Sequence, residues 1–117
     1  MENTAFPIEI KEAFATYTGG NIWLFYGTLE NGSYFLTDDY GSTLFLDADP
    51  SNLDESTYEE WQKEHLIVEP PALIQKEFCN LLIKKLLEYD VSDNKHRGGI
   101  TNTELKSYQH YFSNILY

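Results

Sequence analysis

The side chains most able to do chemistry in this sequence are carboxylates gathered in one segment. Ten acidic residues and one base, Lys63, lie between Asp38 and Glu69, whereas the rest of the chain holds nine acids and seven bases. This acidic segment therefore carries a formal charge of −9 out of the −11 of the whole chain. Such a cluster can hold a metal ion, supply catalytic acids, favour a helix start through the helix dipole, or face a basic partner.

Metal binding and acid catalysis both fit the acidic segment poorly. Asp47 and Asp49 match the first and third positions of an EF-hand loop, but Asn52 stands where Gly is required and Tyr58 where a bidentate Glu is required. A carboxylate pair catalyses hydrolysis when its surroundings separate the two pKa values, and acids in a polar turn should all stay ionised. Two-metal nuclease chemistry also needs bases that hold phosphate, and the segment offers only Lys63. We expect no metal, no cofactor and no enzymatic activity.

Histidine, cysteine and glycine residues give no stronger site. His65, His96 and His110 belong to no His-Glu-x-x-His motif, and the chain has neither Cys-x-x-Cys nor a phosphate-binding loop. The stretch His96-Arg97-Gly98-Gly99 could bind an anion through glycine amides, although a surface turn is the more common outcome. Cys79 lies in an apolar helical stretch and is expected to be a small core residue.

Apolar residues at helical spacing predict helices in four parts of the chain. The first part precedes Gly19-Gly20 and has apolar positions at Phe6, Ile10, Ala13, Phe14 and Tyr17. A Ser or Thr followed three residues later by Glu can cap a helix start, and this pattern occurs at Ser56 and Thr101. We therefore expect further helices over Thr57–Leu66, over Ala72–Tyr89 and in the residues that follow Thr101.

Strand-forming residues occupy the chain between the first two predicted helices. Ile22–Tyr26 is apolar on both faces and is predicted to be a central strand, followed by Tyr34–Leu36 and Thr43–Leu46. Asn31-Gly32 predicts a hairpin, and the residues from Asp38 to Gly41 predict the next turn. The predicted fold class is α+β, with a small antiparallel three-stranded meander covered by about four helices.

Length and composition narrow the class of protein further. Residues 1–117 are enough for a single domain with one core. No positively charged leader precedes an apolar run, and no stretch approaches the roughly 20 apolar residues of a membrane span. The lone Cys79 fits a reducing compartment, and a charge of −11 should repel nucleic acid and anionic membrane. We expect a cytoplasmic protein that attracts basic partners.

Aromatic residues interleaved with the acids favour directed binding over a merely solvated face. Tyr40, Tyr58 and Trp61 lie within the acidic segment, and protein interfaces combine aromatic anchors with charges complementary to the partner. Trp61 is expected to serve the core. The predicted partner-binding residues are Asp38, Asp39, Tyr40, Asp47, Asp49, Asp54, Glu55, Tyr58, Glu59 and Glu60.

The sequence also resembles a class of bacterial inhibitors. The run GTLENGSYFLTDD, from Gly27 to Asp39, and the acidic run through Glu55-Ser56 and Glu59-Glu60-Trp61 resemble the immunity proteins of contact-dependent growth inhibition and related polymorphic toxin systems. The likeness is one of small size, acidity, aromatic content, an Asn-Gly hairpin and an α+β outline. It implies a cytoplasmic protein that neutralises one cognate toxin domain, commonly a nuclease, and it transfers no binding residue to this chain.

Two other functions stay open at this point. An acidic mimic of nucleic acid would inhibit a DNA-binding or restriction protein with the same charge, but would bind several unrelated basic proteins. A small enzyme or ligand-binding α+β domain would instead need a deep cavity between sheet and helices, lined by Tyr and Phe, with Arg97 or a His side chain converging on it.

Overall fold

An antiparallel sheet in chain order organises the fold. The computed structural model describes residues 9–20, 22–51 and 57–115, and in these residues the sheet has five strands in the order β1-β2-β3-β4-β5. The strands are β1 Ile10–Gly19, β2 Ile22–Leu29, β3 Tyr34–Thr37, β4 Thr43–Leu46 and β5 Leu66–Val68. The helices are α1 Tyr58–His65, α2 Ala72–Glu88, α3 Asn94–Arg97 and α4 Asn102–Ile115. In the same residues, no helix combines the length and the apolar character needed to cross a membrane.

The predicted α+β class and the central meander are confirmed. Strands β2, β3 and β4 pair as expected, and the Asn31-Gly32 hairpin is closed by a bond from the Leu29 amide to the Ser33 carbonyl at 2.8 Å. The turn after β3 is held by the Asp38 side chain, which accepts bonds from the Tyr40 and Ser42 amides at 2.9 and 3.0 Å. The predicted count of three strands is wrong, because β1 and β5 extend the sheet at its two edges.

The predicted N-terminal helix is wrong over the residues that the structure describes. Residues 10–19 form β1, in which Ala13 and Ala15 face the core and Phe14 points to the opposite face. Apolar residues on both faces of a strand imitate helical spacing, and the pairing with β2 decides the outcome. The Gly19-Gly20 pair is a hairpin connection rather than a helix stop, with Gly20 at φ +59°. The remaining predicted positions, Phe6 and Pro7, lie outside the described residues.

Two helix starts were predicted from capping patterns, and the structure describes the residues of one of them, Thr101 and Glu104. Thr101 and Glu104 form the expected box, because the Glu104 carboxylate accepts from the Thr101 amide at 3.0 Å and Thr101 Oγ1 accepts from the Glu104 amide at 3.1 Å. The other pattern begins at Ser56, which lies outside the described residues. Helix α1 itself is present, but Trp61 is only half-buried and the helix has no buried residue, so the expected core role of Trp61 is wrong.

Helices α2 and α4 cover one face of the sheet. The Phe78 ring of α2 meets the Phe35 and Phe45 rings edge-on, with ring centroids 4.9 and 5.3 Å apart. The Tyr108 ring of α4 meets the Phe25 ring edge-on at 5.4 Å. These contacts place the core between the sheet and the two long helices, and within the described residues neither α2 nor α4 covers the other face of β1 to β4.

Candidate functional site

A cleft of about 1240 Å³ lies on the face of the sheet that α2 and α4 leave open. Its floor follows from strand register, since Tyr26 pairs with Leu36 and Leu36 with Leu44, so that their side chains form a row across three strands. Leu24 extends this floor, and helix α1 forms a wall. The lining residues are Thr16, Thr18, Leu24, Tyr26, Leu36, Asp38, Ser42, Leu44, Pro50, Ser51, Tyr58, Glu59, Glu60, Gln62 and Glu69.

The charged residues of the cleft are all acidic. Asp38 follows β3, Glu59 and Glu60 occupy the first turn of α1, and Glu69 follows β5. Among the described lining residues there is no Lys, Arg or His. Acids in the first turn of a helix are favoured by the helix dipole, which accounts for the location of Glu59 and Glu60 but not for the convergence of all four acids. The cleft therefore joins a largely apolar floor to a negative rim.

Two tyrosines in the cleft lie close to carboxylates. Burial raises the pKa of Tyr58, and the charge of Asp38 raises it further. Burial likewise raises the pKa of Tyr26, with a smaller contribution from the charge of Asp49. Both phenols therefore stay protonated at neutral pH and can donate a hydrogen bond. Asp49 is not one of the lining residues, but it immediately precedes two of them, Pro50 and Ser51.

The surroundings of Asp38 disfavour its ionised form. Burial raises the pKa of Asp38, and the charge of the neighbouring Asp39 adds to this effect. Hydrogen bonds donated by the backbone amides of Ser42 and Tyr40 lower it. Burial without a nearby cation disfavours the ionised form of a carboxyl group. A positive group entering the cleft would therefore stabilise the Asp38 carboxylate.

The ten predicted partner-binding residues do not all meet at this site. Asp38, Tyr58, Glu59 and Glu60 line the cleft, and Asp49 is next in sequence to the lining residue Pro50. The others that the structure describes lie elsewhere: Asp39 in a separate depression beside α4, Tyr40 exposed in the turn, and Asp47 at 2.8 Å from His65 Nδ1. Asp54 and Glu55 lie outside the described residues.

Sequence reasoning missed the floor of the cleft and one rim acid. Ile22–Tyr26 was predicted to be a central strand because it is apolar on both faces, and one of these is the open face, where Leu24 and Tyr26 are half-buried. Strand alternation predicts that they share one face, but not that this face is the one that α2 and α4 leave open. Glu69 was counted among the acids, yet its approach to the cleft depends on β5, which was not predicted.

The stretch His96-Arg97-Gly98-Gly99 combines a buried arginine with an exposed turn at the two glycines. The Arg97 side chain is buried, and its donors face the carbonyl oxygens of Leu86, Tyr89 and Ile100 and the side-chain oxygen of Asn102. The anion hypothesis relied on free glycine amides, but the Gly98 amide donates to the Asn94 carbonyl at 3.1 Å, and the Arg97 guanidinium is surrounded by protein oxygens. Arg97 instead joins the end of α2 to the start of α4.

His96 is held between two aromatic rings and two carboxylates. Its ring stacks on Tyr89 at 4.0 Å and on Phe14 at 5.0 Å, while its two nitrogens lie 2.8 Å from the Asp93 and Glu12 carboxylates. Burial disfavours the charged ring, but the bonds to Glu12 and Asp93 outweigh it and the pKa of His96 is raised. Phe14 in turn stacks on Tyr26 at 5.2 Å, so this aromatic series ends at the cleft.

Cys79 is a core residue, as predicted. Its side chain is fully buried, and its Sγ donates to the Gly41 carbonyl at 3.4 Å. Burial raises the pKa of the thiol to about 12, which makes it a poor nucleophile at neutral pH. Among the described residues, no three His, Cys, Asp or Glu side chains converge as a metal site.

Comparisons of the chain with protein-family models, with curated proteins and with solved structures found no match. The cleft is therefore interpreted from its own geometry and charge.

Proposed function

We propose that this chain is a non-enzymatic immunity protein that binds and neutralises one basic toxin domain, with a nuclease as the expected class of toxin. The observation that supports it best is the acidic cleft: four acids around a largely apolar floor, with no base among the described lining residues. The likeness in overall character to immunity proteins of contact-dependent growth inhibition adds the expectation of a single cognate partner. On this proposal the protein acts in the cytoplasm, where such a toxin reaches its target.

The physical basis of inhibition is competition for a cationic site. A nuclease holds phosphates with basic side chains, so a protein that presents carboxylates can occupy the same site. Long-range attraction between the acidic protein and a basic toxin can raise the association rate constant to about 10⁸–10⁹ M⁻¹s⁻¹. An apolar centre inside the charged rim would slow dissociation, and an interface of about 800 Å² on each partner would be ordinary.

The nucleic-acid mimic remains the main alternative, because it would use the same charge. It predicts comparable binding to several unrelated basic proteins, whereas an immunity protein discriminates among them. A ligand-binding enzyme has less support, because the described lining of the cleft contains no His or Arg and Arg97 is buried among carbonyl oxygens.

Rescue of growth tests the proposal. The gene directly upstream is expected to encode a large secreted protein with a variable C-terminal domain. Expression of that domain alone should stop growth, and co-expression of this chain should restore it. Purified chain should bind the domain at least about a thousandfold more tightly than it binds histone or lysozyme, a margin typical of specific against non-specific electrostatic binding. No rescue, or equal binding to all three proteins, would overturn the proposal.

A charge-reversal variant links the rescue to the cleft. Glu59→Lys/Glu60→Lys changes two exposed cleft acids, and Glu77→Lys/Glu88→Lys makes the same change on the exposed side of α2. Both variants have the same net charge, so a difference between them reports location. Rescue should weaken with the cleft variant and persist with the α2 variant.

A further inference from the structure

The cleft combines the groups that recognise a planar cation. Tyr26 and Tyr58 line it together with Asp38, and Asp38 lies two residues beyond Leu36, the strand partner of Tyr26. Aromatic faces attract cations, and a guanidinium group can stack on a ring while it forms forked bonds to a carboxylate. A lysine ammonium is more strongly hydrated and cannot form the fork.

The Tyr26 ring is fixed before any partner arrives. It is stacked on Phe14, and Phe14 is stacked on His96, which two carboxylates and Tyr89 hold in place. A ring held in this way loses little conformational entropy on binding. This side of the cleft is therefore preorganised for an incoming side chain.

The floor defines what should lie beside the cation. Leu24, Leu36 and Leu44 are half-buried on the face of the sheet that α2 and α4 leave open, and all three line the cleft. Protein interfaces commonly have an apolar centre, a polar or charged rim, and one anchoring side chain that is surrounded by apolar contacts. The apolar floor and acidic rim of the cleft have this arrangement. A segment that is basic and apolar is therefore complementary to both parts of the cleft.

We propose that the cleft receives one arginine side chain of the toxin domain, with apolar neighbours of that arginine resting on the leucine floor. This inference rests on the proposed function and adds to it the side chain that anchors the complex. The guanidinium lies among Asp38, Tyr26 and Tyr58, while Glu59, Glu60 and Glu69 attract the surrounding basic surface.

Short peptides test arginine recognition without the toxin. The probe is the acetylated and amidated peptide Leu-Ser-Arg-Ser-Leu, and its controls carry lysine or uncharged citrulline at the centre. Titration of the ¹⁵N-labelled full chain should give saturable amide shifts centred on Leu24, Leu36 and Leu44. The citrulline peptide should bind at least about tenfold more weakly, and the lysine peptide about threefold more weakly, than the arginine peptide.

Two single-charge variants separate the cleft from general attraction. Asp38→Asn retains an oxygen that can accept from the Tyr40 and Ser42 amides, whereas Glu88→Gln removes one charge from an exposed position on α2. Asp38→Asn should weaken binding of the arginine peptide about fivefold, whereas Glu88→Gln should weaken it by less than about twofold. If the spectrum of Asp38→Asn shows a disturbed fold, the comparison of the arginine, lysine and citrulline peptides on the wild type decides the inference.

Several results would overturn the inference: shifts spread over the acidic surface without saturation, equal binding of arginine and citrulline peptides, or equal loss in both variants. If the peptides fail while co-expression still rescues growth, the toxin is held by another surface and only this inference falls. If the arginine peptide binds as expected while rescue fails, arginine recognition stands and the assignment as an immunity protein falls.

Discussion

Replacement of Arg97 by Met should destabilise the protein more than any exposed charge change. The Arg97 side chain is 1% exposed. Among the described residues it donates hydrogen bonds to four oxygens, and none of them belongs to a carboxylate. It therefore caps the end of α2 through the carbonyls of Leu86 and Tyr89, and it reaches the start of α4 through Asn102. Methionine has a similar length and fills the space without donors.

The size of the effect follows from the bonds that are lost. Three of them are 3.1 Å or shorter, to the Tyr89 carbonyl, the Ile100 carbonyl and Asn102 Oδ1. Hydrogen bonds from a charged donor contribute about 1.5–3 kcal/mol each, and relief of the buried charge offsets several kcal/mol of their sum. We expect a net loss of about 3 kcal/mol, which lowers the midpoint of thermal unfolding by roughly 10–15 °C in a domain of this size.

Urea unfolding followed by circular dichroism measures this loss. The matched control is Lys95→Met, which makes the same kind of substitution at an exposed position two residues away and should change stability by less than about 0.5 kcal/mol. The slope of the free energy of unfolding against urea should be unchanged in both variants, because the surface buried on folding stays the same. An Arg97→Met midpoint equal to that of Lys95→Met would refute the structural role of Arg97.

Three further predictions concern the core and the α3 region. The pKa of His96 is raised on folding, so its contribution to stability is complete below the unfolded value of 6.5 and is lost as pH rises through the folded value. The difference in unfolding free energy between wild type and His96→Gln should therefore shrink with rising pH, and a constant difference would contradict it. A Cβ at Gly98 would lie 2.3 Å from the Ala15 carbonyl, whereas Gly20 has nearly the same φ and open space. Gly98→Ala should thus cost at least about 2 kcal/mol more than Gly20→Ala in urea unfolding. Native Cys79 should resist iodoacetamide at neutral pH and react only after unfolding, as followed by mass spectrometry.

Local signals in the sequence predicted the elements whose contacts are local. The Asn31-Gly32 hairpin and the capping box of Thr101 and Glu104 depend on residues a few positions apart, and both form as expected. The long helix α2 was also predicted within one residue at its C-terminal end, because its apolar residues keep a helical period throughout.

Contacts between distant residues account for what was missed. Strand β1 forms because it pairs with β2. On β1, the Ala13 amide donates a hydrogen bond to the Tyr89 hydroxyl at 3.2 Å. Arg97 looked like a surface cation, because nothing in its own sequence neighbourhood shows that carbonyl oxygens of α2 surround it. The acids of the cleft were anticipated as a group, but their arrangement around Leu36 and Leu44 depends on which face of the sheet stays open.

The most direct measurement of the central claim is the association rate constant of the toxin domain at low and high salt. It is compared among the wild type, Glu59→Lys/Glu60→Lys and Glu77→Lys/Glu88→Lys, whose exposed sites lie on opposite sides of the sheet. At low salt the cleft variant should associate at least about tenfold more slowly and the α2 variant within about threefold of wild type, with the differences shrinking as salt screens the charges. Equal slowing in both variants, or none in either, would contradict the claim that the cleft guides a basic partner.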